Sequence, residues 1–313
     1  MKRVFALIAV STVSLGSAIL AACIGDEPGP LPAIPERDSG EPDTFVPPDT
    51  GVDAGPAVPK TVEGLVVWLD GADSNSVQRK SPGFDETVVK WLDKSGSNPP
   101  YDYAPTAPVR APKFASNSMN GNTLGSVNFS QNYSQYLVGR ALTLSASEVF
   151  VVVQSVRKTF GIERDASAAY GFWHFGNVAS FHPDDHGYVV DTFGSNQNGV
   201  FLGAVAPGDS IWEPHIFGVV ATKPSPSTYY YNGATLAMNA PSGGYSQGFN
   251  VNGSLLGATS PNSGINPATE FNYFNGYIAE VVIYNRALPP SDHQKIQSYL
   301  SAKWGIALKD GGT

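Results

Sequence analysis

The chain has 313 residues, 42% of them hydrophobic, enough for one large domain with a substantial core. Its formal net charge is −8 and it contains no basic run, which excludes the clustered positive face that nucleic-acid binding requires. A single cysteine excludes any intrachain disulfide.

Residues 1–22 begin with the basic pair Lys2 and Arg3, continue as an apolar run diluted by Ser, Thr and Gly, and end in small residues. A membrane-spanning helix wants roughly 20 predominantly apolar residues; this shorter, polar-punctuated run has the form of an export signal peptide. Leu20-Ala21-Ala22-Cys23 resembles the lipobox of bacterial lipoproteins. The resemblance implies that the signal is removed and that Cys23 becomes a lipidated N-terminus, its acyl chains (palmitate among them) anchoring the protein to a membrane of the cell envelope. Two or more such membrane signals are needed for stable anchoring. Ile24, standing where that family's sorting rule reads Asp, points to the outer membrane. The alternative is an ordinary export signal with an incidental cysteine.

From Cys23 to Lys60 the sequence changes to GDEPGPLPAIPERDSGEPDTFVPPDTGVDAGPAVPK-like text, with nine prolines, eight acids and two bases. It lacks both helical and strand periodicity and has few large apolar side chains, so it cannot offset the entropy of ordering itself. The expectation is a disordered acidic tether, extended by proline at about 3.1 Å per residue.

Residues 61–308 are expected to form one domain, followed by a disordered tail over 309–313. Short runs of Val, Ile, Phe, Tyr and Trp are punctuated by Gly, Asn, Ser and Pro, which is the pattern of an all-β fold. Strands are expected at 64–70, 88–93, 125–130, 148–156, 171–175, 187–193, 215–222, 254–259 and 276–285. The run VFVVV within 148–156 has no polar alternation, as suits a central strand covered on both faces. Asn232-Gly233 between apolar runs predicts a hairpin over 228–238, because a two-residue turn needs positive φ at both positions. The one predicted helix comes last, in PPSDHQKIQSYLSAKWG. Ser291 and Gln294 have the spacing of a capping box, Asp292 complements the helix dipole, and Gly305 suits the C-terminus. Ile296, Leu300 and Trp304 form the stripe that should dock on the sheets.

Several of these segments together are similar to a known family. GLVVWLDGADSNSV, WLDKSG, IWEPHIFGVV leading to YYYNG, and NGYIAEVVIYNRALPPSDHQKIQSYLSAKWG resemble, in order, the concanavalin A-like, laminin-G-like (LamG) jelly-roll domains of bacterial surface proteins. The resemblance implies two antiparallel sheets packed face to face with the C-terminal helix docked on them, and a noncatalytic binding domain. Its partner would be carbohydrate or another surface polymer. A protein-binding adhesive or structural role is the first alternative, and a glycoside hydrolase with an unrecognised site the second.

The candidate chemistry is sparse. Glucanases of this superfamily carry a Glu-x-Asp-x-x-Glu motif; Glu163-Arg164-Asp165 begins it, but Ala168 and its neighbours leave it without the second glutamate. A hydrolase would therefore have to assemble acids from separate loops, such as Asp184 and His186 with Glu163 or Asp191. The stretch FHPDDHGY (181–188) offers His182 and His186 four apart, a metal spacing on a helix, but Pro183 and Gly187 make a helix improbable. A solvated loop is the expected form, with a divalent-ion site from Asp184, Asp185 and His186 as its alternative. Asp70, Asp73 and Asn75 supply the oxygen ligands calcium prefers, and are equally ordinary turn formers. No cofactor is required by anything in the sequence, calcium being the only one suggested. Trp68, Trp91 and Trp304 fall on core stripes, and His215 and His293 have structural positions. Glu280 is expected to be edge-facing or hydrogen-bonded. Trp173, Trp212, Tyr229, Tyr231 and Tyr273 are the candidates for stacking a sugar ring.

Overall fold

In a computed structural model of the chain, the described residues run from 58 to 309, excepting 117–118, 120–122, 141–143, 145, 156–172, 176–178, 185–186, 192–199, 202–212, 223–227, 236–253 and 260–271. In chain order the first strands are β1 (Leu65–Asp70), β2 (Val77–Ser81), β3 (Asp85–Trp91), β4 (Tyr103–Ala104), β5 (Lys113–Ala115), β6 (Ser126–Phe129), β7 (Leu137–Gly139) and β8 (Ala146–Ser155). There follow β9 (Trp173–Phe175), β10 (Ala179–Asp184), β11 (Gly187–Asp191), β12 (Val200–Phe201), β13 (His215–Thr222), β14 (Thr228–Tyr231) and β15 (Ala234–Thr235). The last are β16 (Ser254–Leu256), β17 (Ala258–Thr259), β18 (Asn272–Tyr273) and β19 (Gly276–Tyr284), before the helix α1 (Pro290–Trp304).

These strands form an all-β antiparallel sandwich. The first sheet runs β15-β14-β13-β8-β19, and the far side of β19 is shared by β1 and β6. The second runs β12-β11-β10-β9-β16-β7-β4-β3-β2. Strand β3 also reaches the first sheet through β5 and β6, so it turns the corner between layers. The apolar run of β8 lies between β13 and β19, where both edges are hydrogen-bonded and both faces covered.

Alternation along the strands splits the interior into two cores. Val149, Val151 and Val153 of β8, with Val281 and Ile283 of β19, face the second sheet, where Trp91, Leu137 and Leu256 meet them. Phe150, Val152, Val282 and Tyr284 face the other way, onto Ile296, Leu300 and Trp304 of α1. The four-residue stripe of α1 thus buries the outer face of the first sheet, each large side chain contributing about 1.5–3 kcal/mol by leaving water.

One irregularity sets the polar chemistry. The β8 to β19 register shifts between Ile278 and Glu280. Strict alternation would put Glu280 on the same side as Ile278, inside the sandwich; the bulge at Ala279 adds one residue and turns Glu280 toward α1.

Local signals at the turns are partly as expected. Asn232 (φ 46°) and Gly233 (φ 91°) form the two-residue turn between β14 and β15. Gly305 closes α1 with φ 65°. The capping box is not formed: α1 begins at Pro290 with no side-chain cap from its own sequence. Glu148 of β8 takes that role, accepting a hydrogen bond from the Leu288 N–H (2.7 Å) and pairing with His293 in the first turn. A carboxylate there also complements the helix dipole. At the start of the described residues a 3-10 turn at Val58–Thr61 packs on the domain, with the Pro59 carbonyl accepting the Tyr284 hydroxyl at 3.0 Å. At the other end Lys309 N–H reaches the Asn232 carbonyl at 2.7 Å.

Candidate functional site

Two groups of side chains concentrate the polar chemistry of the described residues. The first lies under α1. Glu280 is fully buried, and four donors surround its carboxylate: Trp68 Nε1 at 2.8 Å and the Tyr299 hydroxyl at 2.8 Å on Oε1, Trp304 Nε1 at 2.7 Å and Lys303 Nζ at 2.8 Å on Oε2. Lys303 continues to Asp70 (2.6 Å), whose other oxygen meets Lys94 at 2.9 Å, and Lys94 ends on Asp73 at 2.8 Å. Three carboxylates and two ammonium groups therefore alternate in one chain. Burial pushes the Glu280 carboxyl above its ordinary range, with the Asp70 charge adding and Lys303 opposing. Burial disfavours the charge on Lys303, yet Glu280 and Asp70 outweigh it and hold its pKa above the ordinary value. Lys94 follows the same logic with Asp70 and Asp73.

This chain explains why two separated sequence segments coincide. The strand end WLDGAD and the turn WLDKSG are locked together: Asp93 accepts the Trp68 N–H at 2.9 Å, the Trp68 carbonyl accepts the Lys94 N–H at 2.8 Å, and the Lys94 ammonium lies 4.4 Å from the Trp68 ring centroid. Asp70 and Asp73 were calcium candidates; here lysine ammonium groups occupy their oxygens, so calcium would first have to displace Lys94 and Lys303. Asn75 donates its N–H to Asp73 in an ordinary turn. Among the described residues no group of three or more His, Cys, Asp or Glu side chains is placed to hold a metal ion.

Other expected site residues fall differently. FHPDDHGY is mostly strand, in place of the expected loop: Phe181 to Asp184 close β10, Gly187 and Tyr188 open β11, and Asp184 pairs with Gly187 across the residues 185–186. Pro183 is tolerated because it pairs only with Tyr188, beyond the reach of β9. Asp185, His186, Trp212, Glu163 and Asp165 lie outside the described residues, and of Trp173, Tyr229, His182 and Asp184 the backbone alone is described, within strands. Tyr231 is a correction. It is only 2% exposed, faces the inter-sheet core, and its hydroxyl pairs with His215 Nδ1 at 2.8 Å, so it cannot stack on a ligand. Glu280 is hydrogen-bonded as expected, but in a central strand. Trp68, Trp91 and Trp304 are core residues.

The second group lies around the buried Tyr136, which is 1% exposed, and reaches the surface at Tyr273 and Arg110. Tyr273 is half-buried, and its hydroxyl accepts a hydrogen bond from Arg110 Nη1 at 2.8 Å. Its ring stacks on Tyr136 with centroids 6.2 Å apart and planes 25° apart. The Arg110 guanidinium lies 5.6 Å from the Tyr136 ring centroid and 6.0 Å from that of Tyr273, within cation–π range. The Tyr136 N–H binds the Arg110 carbonyl at 3.1 Å, which fixes the turn Pro108–Arg110 against the segment before β7. Val109 and Tyr133, next to these anchors, are 76% and 67% exposed. Of this patch the sequence pointed only to Tyr273. Arg110 and Tyr136 have no motif, and only the pairing of distant segments brings them to Tyr273.

No family model matches the chain. No curated protein matches it either. Among solved structures, it is similar to a Trypanosoma rangeli sialidase in complex with the inhibitor DANA (12% identity, TM-score 0.46, 78% of this chain and 34% of that one). It is also similar to the binding domain of botulinum neurotoxin DC in complex with SialylT (10% identity, TM-score 0.47, 76% of this chain and 52% of that one). A structure of botulinum neurotoxin type C, whose cell entry is described as dependent on two ganglioside molecules, matches at 8% identity and TM-score 0.44, over 76% of this chain and 51% of that one. The chain spans about a third to a half of the length of these structures. Likeness at this level assigns no activity.

Proposed function

We propose that this is a lipid-anchored protein of the bacterial cell envelope whose β-sandwich binds carbohydrate or another surface polymer without cleaving it. The observation that carries the binding reading is the half-buried Tyr273 with Arg110 on its hydroxyl, together with the exposed Val109 and Tyr133 on the neighbouring turns. Rings of this kind offer a flat apolar face with a polar edge, which suits a sugar ring. The interior carboxylates support the noncatalytic half. Glycoside hydrolysis needs one acid free to donate a proton and a second free to attack or activate water. Asp70 and Glu280 instead have every carboxylate oxygen engaged by lysine, indole, phenol or backbone donors.

The anchoring half rests on the sequence: export signal, lipobox-like Leu20 to Cys23, and an acidic proline-rich tether holding the sandwich away from the bilayer. The resemblance to laminin-G-like domains supports the same picture of a displayed binding module, with a glycan or a surface protein as partner.

A binding screen of the full chain against glycans and polysaccharides tests the reading. Saturable binding to at least one saccharide, unchanged by chelating calcium and without release of reducing ends, is expected. Accumulating reducing ends would move the protein to the hydrolases, and a blank screen alongside capture of a surface protein would move it to the adhesins. For the anchor, Cys23→Ala should abolish incorporation of an alkyne-palmitate label and release the protein from the membrane fraction.

A further inference from the structure

Within the buried network under α1, one amine and two carboxylates have a geometry that permits more than an ion pair. Asp70 and Glu280 are directly opposite each other in the antiparallel pair of β1 and β19, and Lys303 reaches down from α1 to both. Its Nζ lies 2.6 Å from Asp70 Oδ1 and 2.8 Å from Glu280 Oε2, with the Tyr299 hydroxyl at 3.0 Å. Asp70 is 5% exposed and Glu280 0%, and the indoles of Trp68 and Trp304 with the Tyr299 hydroxyl hold the Glu280 carboxylate in place. The second Asp70 oxygen, Oδ2, accepts a hydrogen bond from Lys94 at 2.9 Å.

These are the requirements for condensing an amine with a carboxyl group. The partners must be held together, and well-oriented neighbours react as though present at about 10⁵–10⁸ M, which offsets the unfavourable loss of water from an acid and an amine in solution. A proton must leave Nζ, and Glu280, whose carboxyl burial pushes upward, stands 2.8 Å away to take it. That transfer, from ammonium to carboxylate, leaves the net charge of the network unchanged. Negative charge growing on Asp70 Oδ2 during attack must be met, and the Lys94 ammonium is already there. The product replaces a buried ion pair, whose attraction recovers its desolvation poorly, by a neutral amide.

We infer that Lys303 and Asp70 join in an intrachain amide, with Glu280 carrying the protons. The bond from Lys303 Nζ to Asp70 Cγ forms and the Cγ–Oδ1 bond of Asp70 breaks. Two of the Nζ protons pass by way of Glu280 to Oδ1, which leaves as water, and Glu280 ends ionised as it began. No oxidant or further reactant is consumed. The bond ties β1, at the start of the domain, to α1 at its end. A chain with a single cysteine cannot build such a staple from sulfur. Protein that has not condensed keeps the ion pair and the stability of the pair alone.

Trypsin reads the bond, because it cannot cleave after a lysine whose amine is acylated. Mass spectrometry of the digested full chain should find one branched peptide, residues 61–79 joined to 296–309, in place of the separate peptides 61–79, 296–303 and 304–309. The intact protein should be lighter by one water. Asp70→Asn should give the same branched peptide, with ammonia leaving instead of water. Glu280→Gln keeps both partners and should slow the appearance of the branch by about a hundredfold, and Lys303→Met should abolish it. Thermal unfolding of Glu280→Gln separates a lost proton carrier from a lost fold, and the wild-type digest decides the bond without any variant. If folded wild type, incubated until its digest no longer changes, yields only the unbranched peptides, the inference fails. A branch at Lys94 in place of Lys303 also overturns it, and a folded Glu280→Gln chain that condenses at the wild-type rate overturns the role given to Glu280.

Discussion

Under α1, two lysines touch three carboxylates, and each charge is held by another. Around Tyr136, the partners of Arg110 among the described residues are tyrosine rings and a tyrosine hydroxyl. Both regions combine cations with aromatic rings, and their difference is one of burial. Where water is excluded an unpaired charge is too costly to keep, so counter-ions come from four segments, at Asp70 and Asp73, Lys94, Glu280 and Lys303. Where water remains, a cation on a ring can stay unpaired, and its unused donors are available to a ligand. The first arrangement ties the fold together; the second leaves guanidinium donors beside solvent.

The sharpest way to break the buried side of this comparison is Lys303→Met, which keeps the volume and removes the charge between Glu280 and Asp70. Truncating one partner of a buried ion pair costs about 3–5 kcal/mol, readable as a shift in the urea midpoint at pH 7. Its pH dependence has a definite sign. The folded-state pKa of Glu280 is raised, so its contribution is most favourable below the unfolded value and becomes a penalty as pH rises through the folded one. Lys303 opposes that rise; without it the penalty grows, and the deficit of the variant should shrink from pH 8 toward pH 5. A deficit that does not vary with pH would show that Glu280 is not the group left unpaired. Adding Glu280→Gln to Lys303→Met should recover part of the loss.

Leu300→Ala probes the apolar setting of the same region. Leu300 is fully buried on the stripe facing Phe150 and Val282, and the cavity should cost about 3 kcal/mol. Gly305→Ala asks less, about 1 kcal/mol, because Gly305 holds φ 65° and a side chain there is strained. Both values are checked by denaturant unfolding, and neither should alter saccharide preference.

How much of this was legible in the sequence follows from the range over which each signal acts. The VFVVV strand, the Asn232-Gly233 turn, the α1 stripe and the three core tryptophans are set by neighbours within a few residues, and they could be read directly. Strands β2, β5 and β7 could not. VQRKS is too polar and KFA and LVG too short to announce themselves, and each is strand because a partner supplies its hydrogen bonds. Ser291 and Gln294 had the local form of a cap, but Pro289-Pro290 start the helix and Glu148, some 140 residues earlier, supplies the acceptor. That Glu280 is hydrogen-bonded could be expected, but not that it lies under α1, because one bulged residue at Ala279 reverses the face that counting from Ile278 would assign. For the same reason the sugar-stacking candidates divided: Tyr231 turned inward, whereas Tyr273 joined Tyr136 and Arg110 through pairings that no spacing encodes.

The smallest expected effect on stability is the one that separates the two regions. Arg110→Ala removes one hydrogen bond and two ring contacts at the surface, and surface substitutions usually change stability by about 0.5 kcal/mol or less. Lys303 and Arg110 are both cations set against tyrosine, so a comparison by residue type would rank them together. If Arg110→Ala leaves the urea midpoint nearly unmoved and weakens saccharide binding, the distinction holds. If instead it unfolds the protein as Lys303→Met does, Arg110 is a structural strut that clamps Tyr136 and Tyr273, and this group loses its claim to a ligand.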